Sequence, residues 1–244
     1  MNGTHDSLFY LQELRTRLWR CLIAYGLLFG FFCYTAQDCF TLLAKPLVAV
    51  LPQNSQLIAT QITTPVFLPI RLAMMLAFLT NLPVVLYHFW KFIAPALHPQ
   101  EKKNIIPLFM SSLMLLILGG LFTYFLVLPL LFQFFIVLLP PEVALMADIN
   151  QYLDLILWLF LLFGCIFQIP LIMLFLLTQG WITVDHYIEK RPYFVIAAFV
   201  IAMLATPPDV LAMIVVATPI CLLYEIGILL GRYQRYKMGY KTRH

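Results

Sequence analysis

Six apolar runs, near residues 21–36, 66–90, 105–139, 152–177, 193–206 and 210–231, divide this 244-residue chain, and the basic residues between them fall on alternate sides. The hydrocarbon core of a bilayer is about 30 Å thick, so a spanning helix needs roughly 20 apolar residues. The amino-terminal segment carries Arg15, Arg17 and Arg20, and the segment after the second run carries Lys91, Lys102 and Lys103. Lys190 and Arg191 follow the fourth run, and the tail holds Arg232, Arg235, Lys237, Lys241 and Arg243. Of the 15 basic residues, only Lys45 and Arg71 lie in or beside an outward segment. The positive-inside rule then places both termini in the cytoplasm and the odd-numbered loops outside. The chain is expected to be an all-α membrane protein with six transmembrane helices.

Composition agrees. The chain is 63% hydrophobic and 11% charged, against about 25% charged in a soluble domain. The net charge of +4 therefore reports topology, and no block of like charge is long enough to suit nucleic acid. No linker or low-complexity stretch divides the sequence, so residues 1–244 read as one membrane domain. Within it, 1–20 form an amphipathic cytoplasmic segment and 232–244 a basic cytoplasmic tail. The 5 cysteines form no close pair, and most lie in or beside apolar runs as small hydrophobes. Arg15–Arg20 before an apolar stretch mimics a signal peptide. The stretch runs into Tyr34–Asp38 without a small-x-small cleavage site, so a retained first helix is expected.

Residues 7–20 place Leu8, Leu11, Leu14 and Leu18 at helical spacing, with Glu13, Arg17 and Arg20 on another face. Such a segment is expected to lie on the membrane surface before turning into the first span, with its arginines near lipid headgroups. A simple i,i+4 pair with Arg17 would account for Glu13. The outward stretch 37–65 is punctuated by Pro46, Pro52 and Pro65, and Leu42–Leu51 is too short to cross. Arg71 is placed to snorkel outward. After the second run, Phe89 and Trp90 suit the headgroup level, Pro95 and Pro99 stop the helix, and Glu101 falls in the first turn of the next. That position too is explicable without a ligand.

The third run is too long for one straight crossing, and Pro107 and Pro129 point to a tilted or kinked helix marked by Tyr124 and Gln133. Gln168 precedes Ile169-Pro170 inside the fourth run, where an amide needs a partner. Spans five and six read as short. Tyr193–Thr206 is 14 residues, about 21 Å at 1.5 Å per residue, and Pro207-Pro208-Asp209 leaves almost no outward loop. Such spans must thin the bilayer or hide their ends.

Enzyme chemistry has no foothold. GxxxxGK[ST], HExxH and GxSxG are missing, and the 5 histidines lack metal-ligand spacing. No cofactor is implied. Inward carboxylates (Glu13, Glu101) among basic residues, with isolated Asp154, Gln168 and Glu225 in the spans, suit a transporter, a channel component or a receptor for a cationic ligand. A secondary transporter of a small cationic solute is the alternative class. It would be expected to gather its charges at the midplane rather than at one surface.

The order of residues is more specific. Tyr10-Leu-Gln-Glu13-Leu-Arg15-Thr-Arg17-Leu resembles the amino-terminal HLxELRxRL signature of the TatC family, the multispanning core of the twin-arginine protein translocase. Phe92-Ile-Ala-Pro95-Ala-Leu97 with Glu101-Lys-Lys is similar to that family's first cytoplasmic loop. Lys190-Arg191-Pro192-Tyr193, Leu204-Ala-Thr206-Pro207-Pro208-Asp209, Phe163-Gly164 with Pro170, and Glu225-Ile-Gly227 are similar to later signatures. The resemblance runs from residue 10 to about 232 and is closest to the proteobacterial type. It implies export of folded proteins across the bacterial inner membrane, driven by the proton motive force, from precursors whose signals carry two adjacent arginines.

It also implies roles. Glu13, Arg15, Arg17, Phe92, Pro95, Leu97, Glu101 and Lys102 would form the signal-peptide site. Gln168, Met203 and Thr206 would dock partner helices, and Pro46, Tyr124 and Asp209 would shape the outward face. The implied partners are the single-span proteins TatA and TatB, signal-bearing precursors and membrane lipid, in a hetero-oligomer with several TatC copies. Many family members carry Glu where this chain has Gln168, and glutamine does not titrate.

Overall fold

The protein is described here by a computed structural model, covering residues 3–48, 56–58, 64–93, 105–137, 146–206 and 210–241. Helix α1 (Gly3–Val48) is 46 residues long. It is followed by a short strand β1 (Gln56–Ile58), α2 (Thr64–Ile93) and α3 (Ile105–Phe122). A π-helical turn (Thr123–Val127) then leads into α4 (Leu128–Val137), strand β2 (Met146–Asp148) and α5 (Ile149–Ile166). The rest is α6 (Ile169–Thr178), α7 (Val184–Glu189), α8 (Arg191–Ala205) and α9 (Val210–Lys241). Five stretches are long and apolar enough to cross a bilayer: Gln12–Thr35, Val66–Phe92, Ile106–Val137, Ile149–Thr178 and Val210–Tyr236. Together with the 15-residue α8, they match the six apolar runs.

Three expectations change. The surface segment and first span are one continuous helix, because no proline interrupts the chain before Pro46, which falls in the last turn of α1. Residues 37–48, expected in the connection after the first span, therefore belong to α1. Span six is not short: α9 has 32 residues, since its polar carboxyl-terminal end continues the helix beyond the apolar run. Only span five is short. β1 and β2 pair as a two-stranded sheet, for which the sequence gives no alternation signal.

The chain divides into two compact units. The first comprises Met1–Lys45, Leu57–Leu113 and Ala147–Asp154. Here Asn81 Nδ2 donates to the Cys21 carbonyl at 3.2 Å, and Tyr25 Oη to the Met74 carbonyl at 3.5 Å. These bonds set α1 and α2 side by side in antiparallel register. Arg71 lies near the start of α2 with its side chain 45% exposed. Its guanidinium pairs with Asp154 and lies 3.5 Å from Asn150 Oδ1, while Asn150 Nδ2 donates to Thr64 Oγ1 at 3.1 Å. Asp148 accepts from the Asn150 N–H at 2.8 Å, in the first turn of α5. The beginnings of α2 and α5 are thereby joined by an ion pair and a hydrogen bond.

The second unit holds Pro46–Gln56, Met114–Met146 and Leu155–His244. In its third span Pro129 supplies no N–H to the carbonyl one turn earlier. The chain answers with the π turn. Leu128 N–H donates to Thr123 O, an i→i+5 bond, and the buried Thr123 hydroxyl donates to Gly119 O at 2.8 Å. Gly119 admits close approach: a Cβ there would lie 3.0 Å from the Phe163 carbonyl oxygen and 3.1 Å from Phe167 Cγ. Phe122 packs beside Phe163 and Phe167, with ring centroids 5.7 and 5.4 Å away. The fourth span breaks between α5 and α6, ahead of Pro170. Further on, α6 and α8 pack on α9, where Gly227 lies against Met173 and Gly231 against Leu177.

A methyl at residue 119 meets backbone, which cannot swing aside. Gly119→Ala is therefore expected to destabilise the detergent-solubilised protein by about 1–3 kcal/mol. Gly26→Ala, with nothing within 4 Å of the added carbon, should be neutral or slightly stabilising. Thermal unfolding of the two variants side by side checks the contrast.

Candidate functional site

The register of α1 on α2 assembles the first region. Tyr25 meets Met74 and Cys21 meets residue 81, so each step toward the amino terminus of α1 pairs with a step toward the carboxyl end of α2. Glu13 is thus carried to the level of Phe89, near the end of α2 from which the chain enters 94–104, and Arg17 to a level about one turn before it. Arg17, Arg20 and Lys91 come within electrostatic reach of His88. Glu13 is half-buried, and its Oε1 accepts from both Nε (3.2 Å) and Nη2 of Arg17. A cleft of about 380 Å³ lies on this face, lined by Gln12, Glu13, Thr16, Arg17 and Arg20. Arg15 is exposed on another side, and Phe92 is half-buried at the end of α2. Trp90 is buried, and Lys91 Nζ sits 5.6 Å from the centre of the Tyr87 ring. Pro95, Leu97, Glu101 and Lys102 lie outside the described residues, as does Asp209.

A second polar region joins α7, α8 and α9. Arg191 Nη2 donates to Glu225 Oε2 at 2.7 Å. One residue before Glu225, Tyr224 stacks on Phe194 with ring centroids 3.9 Å apart and donates its hydroxyl to the Tyr187 carbonyl at 2.8 Å. Burial, with Tyr224 beside it, pushes the Tyr187 phenol above its ordinary range. It therefore remains a protonated donor toward Met173 O, 3.5 Å away. Farther along α9, Arg235 pairs with Asp185 at 3.0 Å.

The expected docking residues separate. Met203 is 55% exposed on α8, whereas Thr206 is buried and donates its hydroxyl to Ala202 O at 2.9 Å. Gln168 is buried within its unit at the amino-terminal cap of α6, its carbonyl accepting from Ile172 N–H at 2.9 Å. Tyr124 is half-buried within the π turn.

Comparison with known proteins decides what kind of molecule carries these features. Residues 9–219 match the family model described as TatC, Sec-independent protein translocase protein. The chain belongs to the TatC family. The Haemophilus influenzae Sec-independent protein translocase protein TatC is 45% identical over 228 residues, spanning 93% of this chain and 89% of the relative. Its Escherichia coli K12 counterpart is 40% identical over 233 residues, spanning 96% and 90%. A crystal structure of the twin-arginine translocase receptor TatC superposes with a TM-score of 0.82 at 37% identity, covering 92% of this chain and 98% of that one. As a family member, the chain is a multi-pass membrane component of a translocase, not an enzyme.

Sequence reasoning flagged Asp154 and Glu225 as isolated charges in the spans. They are paired, with Arg71 and Arg191. Opposite charges at matching ends of different runs were the available signal. The Tyr224–Tyr187 bond had none, because it depends on how α7 folds back on α9.

Removing the Tyr224 hydroxyl orphans a buried carbonyl while leaving the stack on Phe194 intact. Tyr224→Phe should lower stability by about 1–2 kcal/mol, read as a reduced unfolding temperature, and Tyr187→Phe, whose own bond is longer, should have the smaller effect.

Proposed function

We propose that this protein is the signal receptor and core of a twin-arginine translocase, lying in the bacterial inner membrane with both termini in the cytoplasm. It binds precursors through their paired arginines and passes them, folded, across the bilayer. It works in a hetero-oligomer with TatA, TatB and further copies of itself, at the expense of the proton motive force. The observation that carries this reading is the α1–α2 register. It brings the half-buried carboxylate of Glu13 to the end of α2, from which the chain enters the segment containing Glu101.

Two carboxylates at one membrane surface suit two guanidinium groups. Arginine is a planar fork that pairs bidentately with carboxylate, which the lysine ammonium does not copy. Hydrogen bonds to charged groups contribute about 1.5–3 kcal/mol each, enough for discrimination without covalent chemistry. Phe92, Pro95 and Leu97 shape the segment around Glu101, and Arg15 and Lys102 flank it. On the outward side Pro46, Tyr124 and Asp209 set the shape of the connections. Met203, outward on α8, supports that helix as a docking surface for TatA or TatB. Thr206 and Gln168 serve it from within, by fixing the end of α8 and the break in the fourth span. Glutamine at 168 does not titrate, so no proton is carried at that position.

Span five contributes through its length. At 15 residues α8 reaches about 22 Å, short of a bilayer core of about 30 Å. The membrane beside it is thinned, which lowers the barrier to rupture where cargo passes.

A photocrosslinker at residue 101 in inverted membranes should capture an Arg-Arg signal peptide and not its Lys-Lys version. Glu101→Ala should abolish signal binding without impairing insertion, and an arginine-independent crosslink would return Glu101 to a purely helical role. Adding four leucines to α8 should reduce export severalfold while signal binding is retained; unchanged export would remove the thinning role.

A further inference from the structure

We infer that Arg17 is a tethered competitor for the signal-binding carboxylate: it occupies Glu13 in the resting protein and sets how tightly the receptor holds any signal, without setting its preference for arginine over lysine. The inference rests on the reading of Glu13 as a signal contact. Both Nε (3.2 Å) and Nη2 of Arg17 reach Glu13 Oε1. Both bonds fall on one oxygen of the carboxylate, whereas an incoming signal arginine that pairs side-on needs both oxygens, so it must take Oε1 from Arg17. Arg17 is 12% exposed and Glu13 25%. The pair is therefore better shielded than a solvated i,i+4 ion pair, and no other side chain among the described residues bonds to Glu13.

Charge and space point the same way. Glu13 sits one turn or less from Arg15 and Arg17, and two turns from Arg20, with no second carboxylate in the stretch 12–35. A further guanidinium can take both oxygens of Glu13 only if Arg17 gives up its place on Oε1. The cleft of about 380 Å³ beside the pair is lined by the same residues and is open, so a guanidinium can approach Glu13 from it. Gln12 and Thr16 sit on its wall, though the Thr16 hydroxyl already donates to Gln12 O at 2.9 Å.

Competition of this kind has a distinctive signature. A tethered competitor weakens every ligand that needs the same acceptor by one common factor, because each must first displace it. Arg-Arg and Lys-Lys signals are weakened equally, and their ratio is untouched. Between the strength of an exposed helical pair and that of a shielded charge-assisted one, the common factor is about two- to tenfold.

The test measures Kd for fluorescent Arg-Arg and Lys-Lys signal peptides on the assembled translocase in membranes. Arg17→Gln is expected to tighten both peptides by the same factor, within that range. Arg17→Lys, a weaker occupant of Glu13, should fall between. The gain should vanish in the double variant Arg17→Gln/Glu13→Gln. Arg17→Lys keeps the charge needed for insertion, so it carries the comparison alone if Arg17→Gln does not assemble. Unchanged or weaker binding in the Arg17 variants, while Glu13→Gln alone weakens it, overturns the competitor and leaves the receptor reading standing. A gain confined to the Arg-Arg peptide makes Arg17 a selectivity element and also overturns the inference. Binding insensitive to Glu13→Gln removes Glu13 from the site, and the competitor with it.

Discussion

In hydrocarbon, a backbone polar group or charge without a partner costs several kcal/mol, and only internal bonds can remove that cost. The irregular parts of this molecule are answers to it. Pro129 deprives a carbonyl of its donor, and the turn widens until Leu128 N–H meets Thr123 O. Pro170 does the same to the fourth span, and the helix stops and restarts around Gln168. Arg71 and Asp154, each placed in a candidate span, find one another across α2 and α5, and Arg191 and Glu225 across α8 and α9. Both pairs are more than a third exposed. Their contribution to stability is therefore modest, and their effect is to fix which helix ends meet.

The same constraint organises the receptor surface. The α1–α2 register depends on two side chains that donate to backbone carbonyls, Asn81 to Cys21 and Tyr25 to Met74. Neither residue touches the proposed signal site, yet both determine the level at which Glu13 stands against α2. A site assembled in this way is positioned by the interior of the spans and presented at their ends. The acidic group can then be surrounded by arginines while the frame that holds it is neutral.

How much of this was legible in the sequence follows from what each feature depends on. The six spans were readable because burial in lipid needs only length and apolarity, and α2, α5 and α9 begin within a few residues of where the runs do. Pro129 marked the third span as irregular, but not as holding a π turn, in which the Thr123 hydroxyl also takes the Gly119 carbonyl. The limits of α1 and α9 were misjudged for one reason: polar residues end an apolar run without ending a helix. At the site, Glu13 and its i,i+4 partner were visible as a spacing. The tie between Tyr224 and Tyr187 was not, because it depends on a neighbour 37 residues away in the chain.

The π turn also settles a question of helical phase. Residues four apart on an α-helix drift about 40° around the axis at each step, so a seam of such residues winds off its face within three steps. Gly119, Thr123, Val127 and Leu131 are spaced in this way, and all four are buried. Underwinding at Thr123–Val127 takes up the drift and keeps the seam on one side of the third span as it passes from α3 into α4. The turn ahead of Pro129 thus lets a single stripe of small and branched residues run straight along a long helix, as an axle keyed along its length holds one bearing face throughout.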